Sequence, residues 1–411
     1  MILMKKVVMT AYDVNPFKGS ESGTGWNFPF HLAEHNRITL ITRKNNRQHI
    51  EAFVSESMSA NIANMDFRYF DLPYWLRFWK RRSRGARLYF WLWQLGVIFY
   101  IRKNHLAADI YHGLNFHSDN TPSFLWLLGG KTVWGPINHN EMIPSEFLSD
   151  GKAKAKDMAK WIFRRISWAC DPFIHLAKRK TSLVLAANQS VVKRLNLGKR
   201  DNYRILATIS SLEMETAPPE KGRHESFQFL TVGRFVPIKS IDFALQTFEK
   251  FFQSQPAKSR RHVSLIVVGS GPLEEKLYNQ VENYTSKDHI LFRSWVSQRE
   301  LFEIYRSSDC FINFSHEGGG AVNAEAMANG LPIICFDNFG AGETVQDTSG
   351  IKVPISDLFT TSQEAATALA TMFDDRELVE RMSRNSYAHF KQNLSWRARA
   401  LAINEYYQEL L

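Results

Sequence analysis

The chain of 411 residues is poor in cysteine, with only Cys170, Cys310 and Cys335. Three widely spaced thiols, odd in number, exclude a disulfide framework and show no metal-ligand spacing; they suit a reducing compartment. No apolar run reaches the ~18–20 residues of a membrane-spanning helix. The longest, LYFWLWQLGVIFYI at Leu88–Ile101, falls short and is interrupted by Gln94 and Gly96. The start, MILMKKVVMTAYD, lacks the layout of a secretory signal and reads as a first buried strand. There is no repeat, no low-complexity tract and no D-x-D triplet.

What is present is apolar and basic. A hydrophobic content of 44% and an aromatic content of 13% describe a globular chain, and the length predicts two domains. A net charge of +10 favours an anionic partner: a nucleotide, a nucleic acid or an anionic membrane face. Strand-like and helix-like segments alternate from KKVVMTAY through GWNFPFHLAEH and RITLITR to TSLVLAAN and QSVVKRLNL. The stretch from Ala207 to Ser226, with Pro218, Pro219 and Gly222, breaks the rhythm. Alternation restarts at FQFLTVG and continues to LPIICFD, and LSWRARALAINEYYQELL reads as a closing helix. The pattern predicts an α/β chain of two Rossmann-like domains facing across a cleft, with ligands at the carboxyl ends of the strands. The expected boundaries are 1–200, 201–390 and a helix at 391–411 packing back toward the first domain.

Two stretches carry the chemistry. In SHEGGGAVNAEAMANG, a strand ends near Ser315, three glycines form a loop, and a helix is stopped by Gly330 and Pro332. Free N–H groups at the helix start form an anion site, and glycine lets backbone approach a phosphate. Glu317 and Glu325 can each accept two hydrogen bonds from a vicinal diol. The loop therefore suits a sugar–diphosphate–nucleoside, although two exposed acids near a helix start would share the spacing. In TVGRFVPIKS, Arg234 and Lys239 flank a strand-to-helix turn, where a fork and a point charge can clamp a diphosphate.

Taken together, GRFVPIKS, LIVVGSGPLEEKL and the E-x7-E segment resemble the carboxy-terminal domain of family 4 retaining glycosyltransferases of the GT-B fold. NPFKGSESGTGWNFPFHLAEH looks like a subgroup whose first loop reads G-S-E-x-G-x-G-W, as in bacterial surface polysaccharide assembly, and KTVWGPINHNEMIP resembles its tryptophan–glycine–proline segment. The resemblance implies that Arg234 and Lys239 bind the donor diphosphate and Glu317 contacts the sugar hydroxyls. It implies that Gly319, Gly320, Ala321 and Val322 present amides and that Glu325 holds the ribose. Gly23 and Thr24 fall where the family's first glycine loop meets phosphate. His117 stands where relatives carry an active-site histidine, with His112 as its rival. Two departures bear on sugar or acceptor choice: Asn138-His139-Asn140 replaces a glycine pair, and Gly319 replaces a frequent aromatic.

The implied reaction is transfer of a sugar, with retention, from a UDP- or GDP-linked donor to a hydroxyl of a glycan or lipid-linked glycan. No cofactor is expected. Metal-dependent transferases of the other main fold typically use D-x-D, so its absence predicts a metal-independent enzyme. Tyr74–Lys103 and Gly151–Lys180 mix aromatics with Lys and Arg, which suits an anionic membrane surface. For the first of them a core helix with basic flanks explains the pattern equally well. The expected location is cytoplasmic, peripheral on the inner face of the cytoplasmic membrane. Competing readings are a sugar-nucleotide epimerase of the same fold and an NAD oxidoreductase built on LIVVGSGPLEEKL, where Glu274 replaces the third glycine. No nucleic-acid module is recognisable.

Overall fold

The computed structural model describes residues 4–80, 85–148, 150–208, 210–213, 216–221, 225–294 and 296–411. Gly222 and the basic part of Tyr74–Lys103 at 81–84 lie outside the described residues. A seven-stranded sheet contains β1 (Lys5–Thr10), β2 (Asn36–Thr42), β3 (Met65–Tyr69), β4 (Ile110–Gly113), β5 (Lys131–Ile137), β6 (Leu183–Ala186) and β7 (Tyr203–Ile205). Its order is β3-β2-β1-β4-β5-β6-β7, and every neighbouring pair is parallel. A six-stranded sheet contains β8 (Phe227–Val232), β9 (Val263–Val268), β10 (Ile290–Arg293), β11 (Cys310–Asn313), β12 (Ile333–Phe336) and β13 (Gly350–Val353). Its order is β10-β9-β8-β11-β12-β13, again parallel throughout.

Both sheets are covered on two faces, which is why their central strands are nearly continuous apolar runs. In β1, Val7 and Met9 enter one core and Val8 the opposite one. In β8, Phe227 and Phe229 point to one face and Leu230 to the other. The strands that the apolar pattern does not announce, β3, β7 and β13, all lie at sheet edges. An edge strand is partly solvated, so it needs no unbroken apolar run: MDFRY alternates half-buried with exposed.

The apolar segment at Leu88–Ile101 lies in a helix, Ala86–Lys103, that buries Tyr89, Phe90, Trp93, Val97, Ile98 and Ile101. This spacing is one helical face, laid on the sheet. Among the described residues no helix is long and apolar enough to cross a membrane. The helix after β1 runs Ser20–Leu32, so Gly23 and Thr24 sit in its first turns, not in a preceding loop. The glycines of GSESGTGW hide that start because glycine is a weak helix former.

The chain divides into two compact units, 1–139 with 163–208 and 396–411, and 140–162 with 209–395. Residues 140–162 therefore group with the second unit, where the expected boundary at 200 put them in the first. Packing explains it: Phe147 contacts the rings of Phe243, His316 and Phe336, and Glu146 accepts a 3.0 Å bond from the Leu358 amide. The closing helix buries Trp396, Ala400, Ile403 and Tyr407 in the core of the first unit.

Candidate functional site

In each sheet the strand order reverses direction once, between β1 and β4 and between β8 and β11. At such a switch point the following loops diverge to opposite faces and leave a crevice at the carboxyl ends. The residues singled out above fall on the loops and helix starts after these four strands. Gly23 and Thr24 follow β1, and His117 follows β4. Arg234 and Lys239 follow β8, and Glu317 through Glu325 follow β11.

In the second unit the two loops are stitched together. The Ile238 carbonyl accepts from the His316 amide at 2.9 Å and from Ser315 Oγ at 3.2 Å, and Ser315 Oγ in turn accepts from the Glu317 amide at 3.1 Å. This holds Lys239 Nζ 2.7 Å from Glu317 Oε2, with both side chains largely buried. Gly320 lies beside them: a Cβ there would sit 3.6 Å from Lys239 Nζ. Gly320 then precedes the helix Ala321–Ala328, so the first amides of Ala321 and Val322 face the same spot. Asn313 Nδ2 donates to Asn323 Oδ1 at 2.6 Å and ties strand end to helix. Glu325 is half-buried and accepts a 3.2 Å bond from the Tyr305 hydroxyl. Burial raises its carboxyl pKa, while Tyr305 and the charge of Lys239 oppose the rise. Arg234 lies exposed in its loop, with no ion pair among the described residues. Gly318 and Gly319 complete the loop, and the Gly318 amide donates to Asn140 Oδ1 at 3.2 Å.

In the first unit, Glu21 joins the β1 and β4 loops by accepting from the Phe116 amide at 2.5 Å. Asn115 adds bonds to the carbonyls of Asp13 (2.6 Å) and Glu21 (3.1 Å). Thr24 Oγ1 donates to the Ser20 carbonyl at 3.0 Å, and a Cβ at Gly23 would strike the Lys18 carbonyl. The two histidines differ in kind. His112 Nε2 lies 2.6 Å from the Gly135 carbonyl and Nδ1 lies 2.5 Å from the Tyr407 hydroxyl. A carbonyl only accepts, so Nε2 carries the proton and Nδ1 accepts from tyrosine. Both ring nitrogens are engaged, and burial lowers the pKa to about 4. His117 is buried between Phe90 and Trp134, with Nδ1 unpartnered, and burial lowers its pKa to about 3. Ser20, Phe116 and Ser240, one in each of three of these loops, take positive φ, a conformation that non-glycine residues hold only where their surroundings enforce it.

Glu21, Asn115, Asn140 and Tyr305 were not assigned from sequence. Glu21, an acid inside a glycine-rich loop, and Asn140, in the segment that replaces a glycine pair, carried a signal; Asn115 and Tyr305 act through contacts across distant segments. The glycines of LIVVGSGPLEEKL have a packing reason. A Cβ at Gly269 would strike the Gly233 carbonyl, and one at Gly271 would lie 2.9 Å from the Phe235 amide nitrogen. They make room for the loop that carries Lys239.

Two parallel-sheet Rossmann-like halves with these loops place the chain among GT-B folds, the fold of its glycosyltransferase neighbours. Anabaena Alr3699/HepE in complex with UDP and glucose superposes with a TM-score of 0.62 at 16% identity, covering 98% of this chain and 100% of that one. Sucrose-phosphate synthase from Thermosynechococcus elongatus gives a TM-score of 0.65 at 15% identity, covering 99% of each chain. Residues 213–389 match the family described as "Glycosyl transferases group 1". The "Putative glycosyltransferase YtcC" of Bacillus subtilis is 26% identical over 191 residues, 44% of this chain and 45% of that protein. The chain thus spans about half the length of the curated relatives it matches.

Proposed function

We propose that the protein is a retaining glycosyltransferase that moves a hexose from a UDP- or GDP-linked donor to a hydroxyl of a glycan or lipid-linked glycan, as in surface polysaccharide assembly. The observation that carries this reading is the Lys239–Glu317 pair at 2.7 Å beside the amino end of Ala321–Ala328. Glu317 supplies the negative charge that faces Lys239. A diphosphate replaces it there, and Glu317 turns to the sugar hydroxyls. Gly319, Gly320, Ala321 and Val322 line the approach with amides, and Glu325 holds the ribose.

Lys239, Arg234 and the helix amides stabilise charge on the departing diphosphate without a metal, by fixed and preorganised donors. Retention through two displacements would need a carboxylate nucleophile at the anomeric carbon. Glu317 and Glu325 have binding roles; the family resemblance implies same-face attack instead, with the leaving phosphate taking the acceptor proton. His117 serves the donor sugar and His112 the fold, because only His117 keeps a ring nitrogen without a partner.

The test is incubation with UDP- and GDP-sugars and an acceptor panel in EDTA, with the anomeric configuration of the product read by NMR. A retained linkage formed without metal supports the proposal. An inverted product, absolute dependence on a divalent ion, or epimerised sugar nucleotide formed without acceptor refutes it.

A further inference from the structure

The helix Gly151–Cys170 is twenty residues long and none of them is buried. A surface helix ordinarily turns its apolar stripe to the core and its polar face to water. This one packs Trp168 inward and also turns a second apolar stripe to water. Successive residues turn about 100° around the axis, so Ala155, Met158, Ala159, Ile162, Phe163 and Ile166 share one face. That face is the outward one: Phe163 is 61% exposed and Ile166 57%. The face toward the protein holds Asp157, Arg164 and Ser167, with Trp161 and Trp168. Asp157 accepts a 3.0 Å bond from the Ile143 amide, and the Arg194 guanidinium lies 4.7 Å from the Trp168 ring centre.

The borders of the outward apolar face are basic. The same angular count puts Lys154 and Arg165 along one edge and Lys156 and Lys160 along the other. The sequence of the helix carries six Lys and Arg against a single acid, Asp157. The next helix, Pro172–Lys180, continues the pattern with Phe173 and Leu176 exposed and Lys178, Arg179 and Lys180 in its last turn.

We infer that Gly151–Cys170 is a membrane-docking helix for an anionic bilayer. It lies in the plane of the interface, its apolar face at the headgroup–acyl boundary and its lysines among the lipid phosphates. Charge selects this occupant over a second copy of the chain. Two such faces packed together would bring like-charged borders against each other, whereas acidic headgroups complement them. The inference stands on the helix alone and needs neither donor nor acceptor.

Flotation with vesicles of phosphatidylcholine containing about 30% phosphatidylglycerol, against phosphatidylcholine alone, tests it. A polarity-sensitive thiol dye reports in parallel, since Cys170 is exposed at the end of this helix while Cys310 and Cys335 are buried. The expected result is binding to the anionic vesicles with a blue shift of the dye. Binding should fall about tenfold or more in Phe163→Glu/Ile166→Glu and in Lys156→Glu/Lys160→Glu, and weaken as salt rises. These side chains are exposed, so unchanged melting temperatures should accompany the loss. Failure of the wild type to float overturns the inference, as does undiminished flotation of the apolar variant. Light scattering that shows a dimer abolished by Phe163→Glu/Ile166→Glu, without vesicle binding, would assign the face to a second copy instead.

Discussion

Replacing Lys239 with alanine removes the one ammonium group that faces both Glu317, at 2.7 Å, and the amino end of Ala321–Ala328. In the ligand-free protein the loss exposes Glu317 to water and leaves the loop otherwise stitched through Ile238, Ser315 and His316. On the proposed reading it also removes a charge-assisted contact to the bound diphosphate. Such contacts contribute about 1.5–3 kcal/mol, equivalent to roughly 10- to 150-fold in Kd. Isothermal titration with UDP and GDP in EDTA should show that loss. Glu317→Gln separates the roles: it frees Lys239 from its internal carboxylate, so the bare nucleoside diphosphate should bind as well as or better than in the wild type. The intact sugar nucleotide should gain less, because the glutamine grips hydroxyls more weakly than a carboxylate. Unchanged nucleotide affinity in Lys239→Ala, with circular dichroism showing a folded protein, would refute the assignment of this cluster as the diphosphate site.

Further expectations follow from the buried polar groups. Tyr407→Phe removes the hydroxyl bonded to His112 Nδ1 and should cost about 1–3 kcal/mol of stability, seen as a lower Tm, with nucleotide affinity unchanged. Glu325 has a carboxyl pKa raised mainly by burial, so between its unfolded and folded pKa values the folded state holds more protons. Its contribution to stability is therefore lost as pH rises through that window. Glu325→Gln should raise Tm at neutral pH, by a margin that shrinks in acid, while weakening nucleotide binding; a melting series across pH with and without UDP reads both. Asn140→Ala removes the bond from the Gly318 amide to Asn140 Oδ1 and should weaken donor binding by about 0.5–1.5 kcal/mol, measured by titration, with little change in Tm.

The reading of GRFVPIKS and SHEGGGAVNAEAMANG as cooperating segments needed no coordinates, because each is a local device. A strand end, a turn and a helix start lie within about ten residues, and the requirements of backbone and charge are written in adjacent positions. The central strands were legible for the same reason, since burial on two faces demands continuous apolar runs. The edge strands β3, β7 and β13 were not, being half-solvated and short. The start of the helix at Ser20 was obscured by glycines whose value lies in close approach, not in propensity.

Charge and composition marked two candidate membrane segments, with a core helix as an equal reading of the first alone, and burial parted them. The aromatics of Ala86–Lys103 largely fill a core, whereas Gly151–Cys170 turns its apolar face outward. The same holds for the two histidines: only tertiary contacts with Tyr407 and Gly135 show that His112 is fully engaged. By itself the sequence determined the parallel α/β architecture and the strand–turn–helix segments at GRFVPIKS and SHEGGGAVNAEAMANG, all set by neighbours along the chain. Strand order decided the rest. Which loops meet at a switch point, and which distant Tyr305, Asn140 or Glu21 completes them, depends on pairing between segments far apart in sequence, and only the folded chain brings those together.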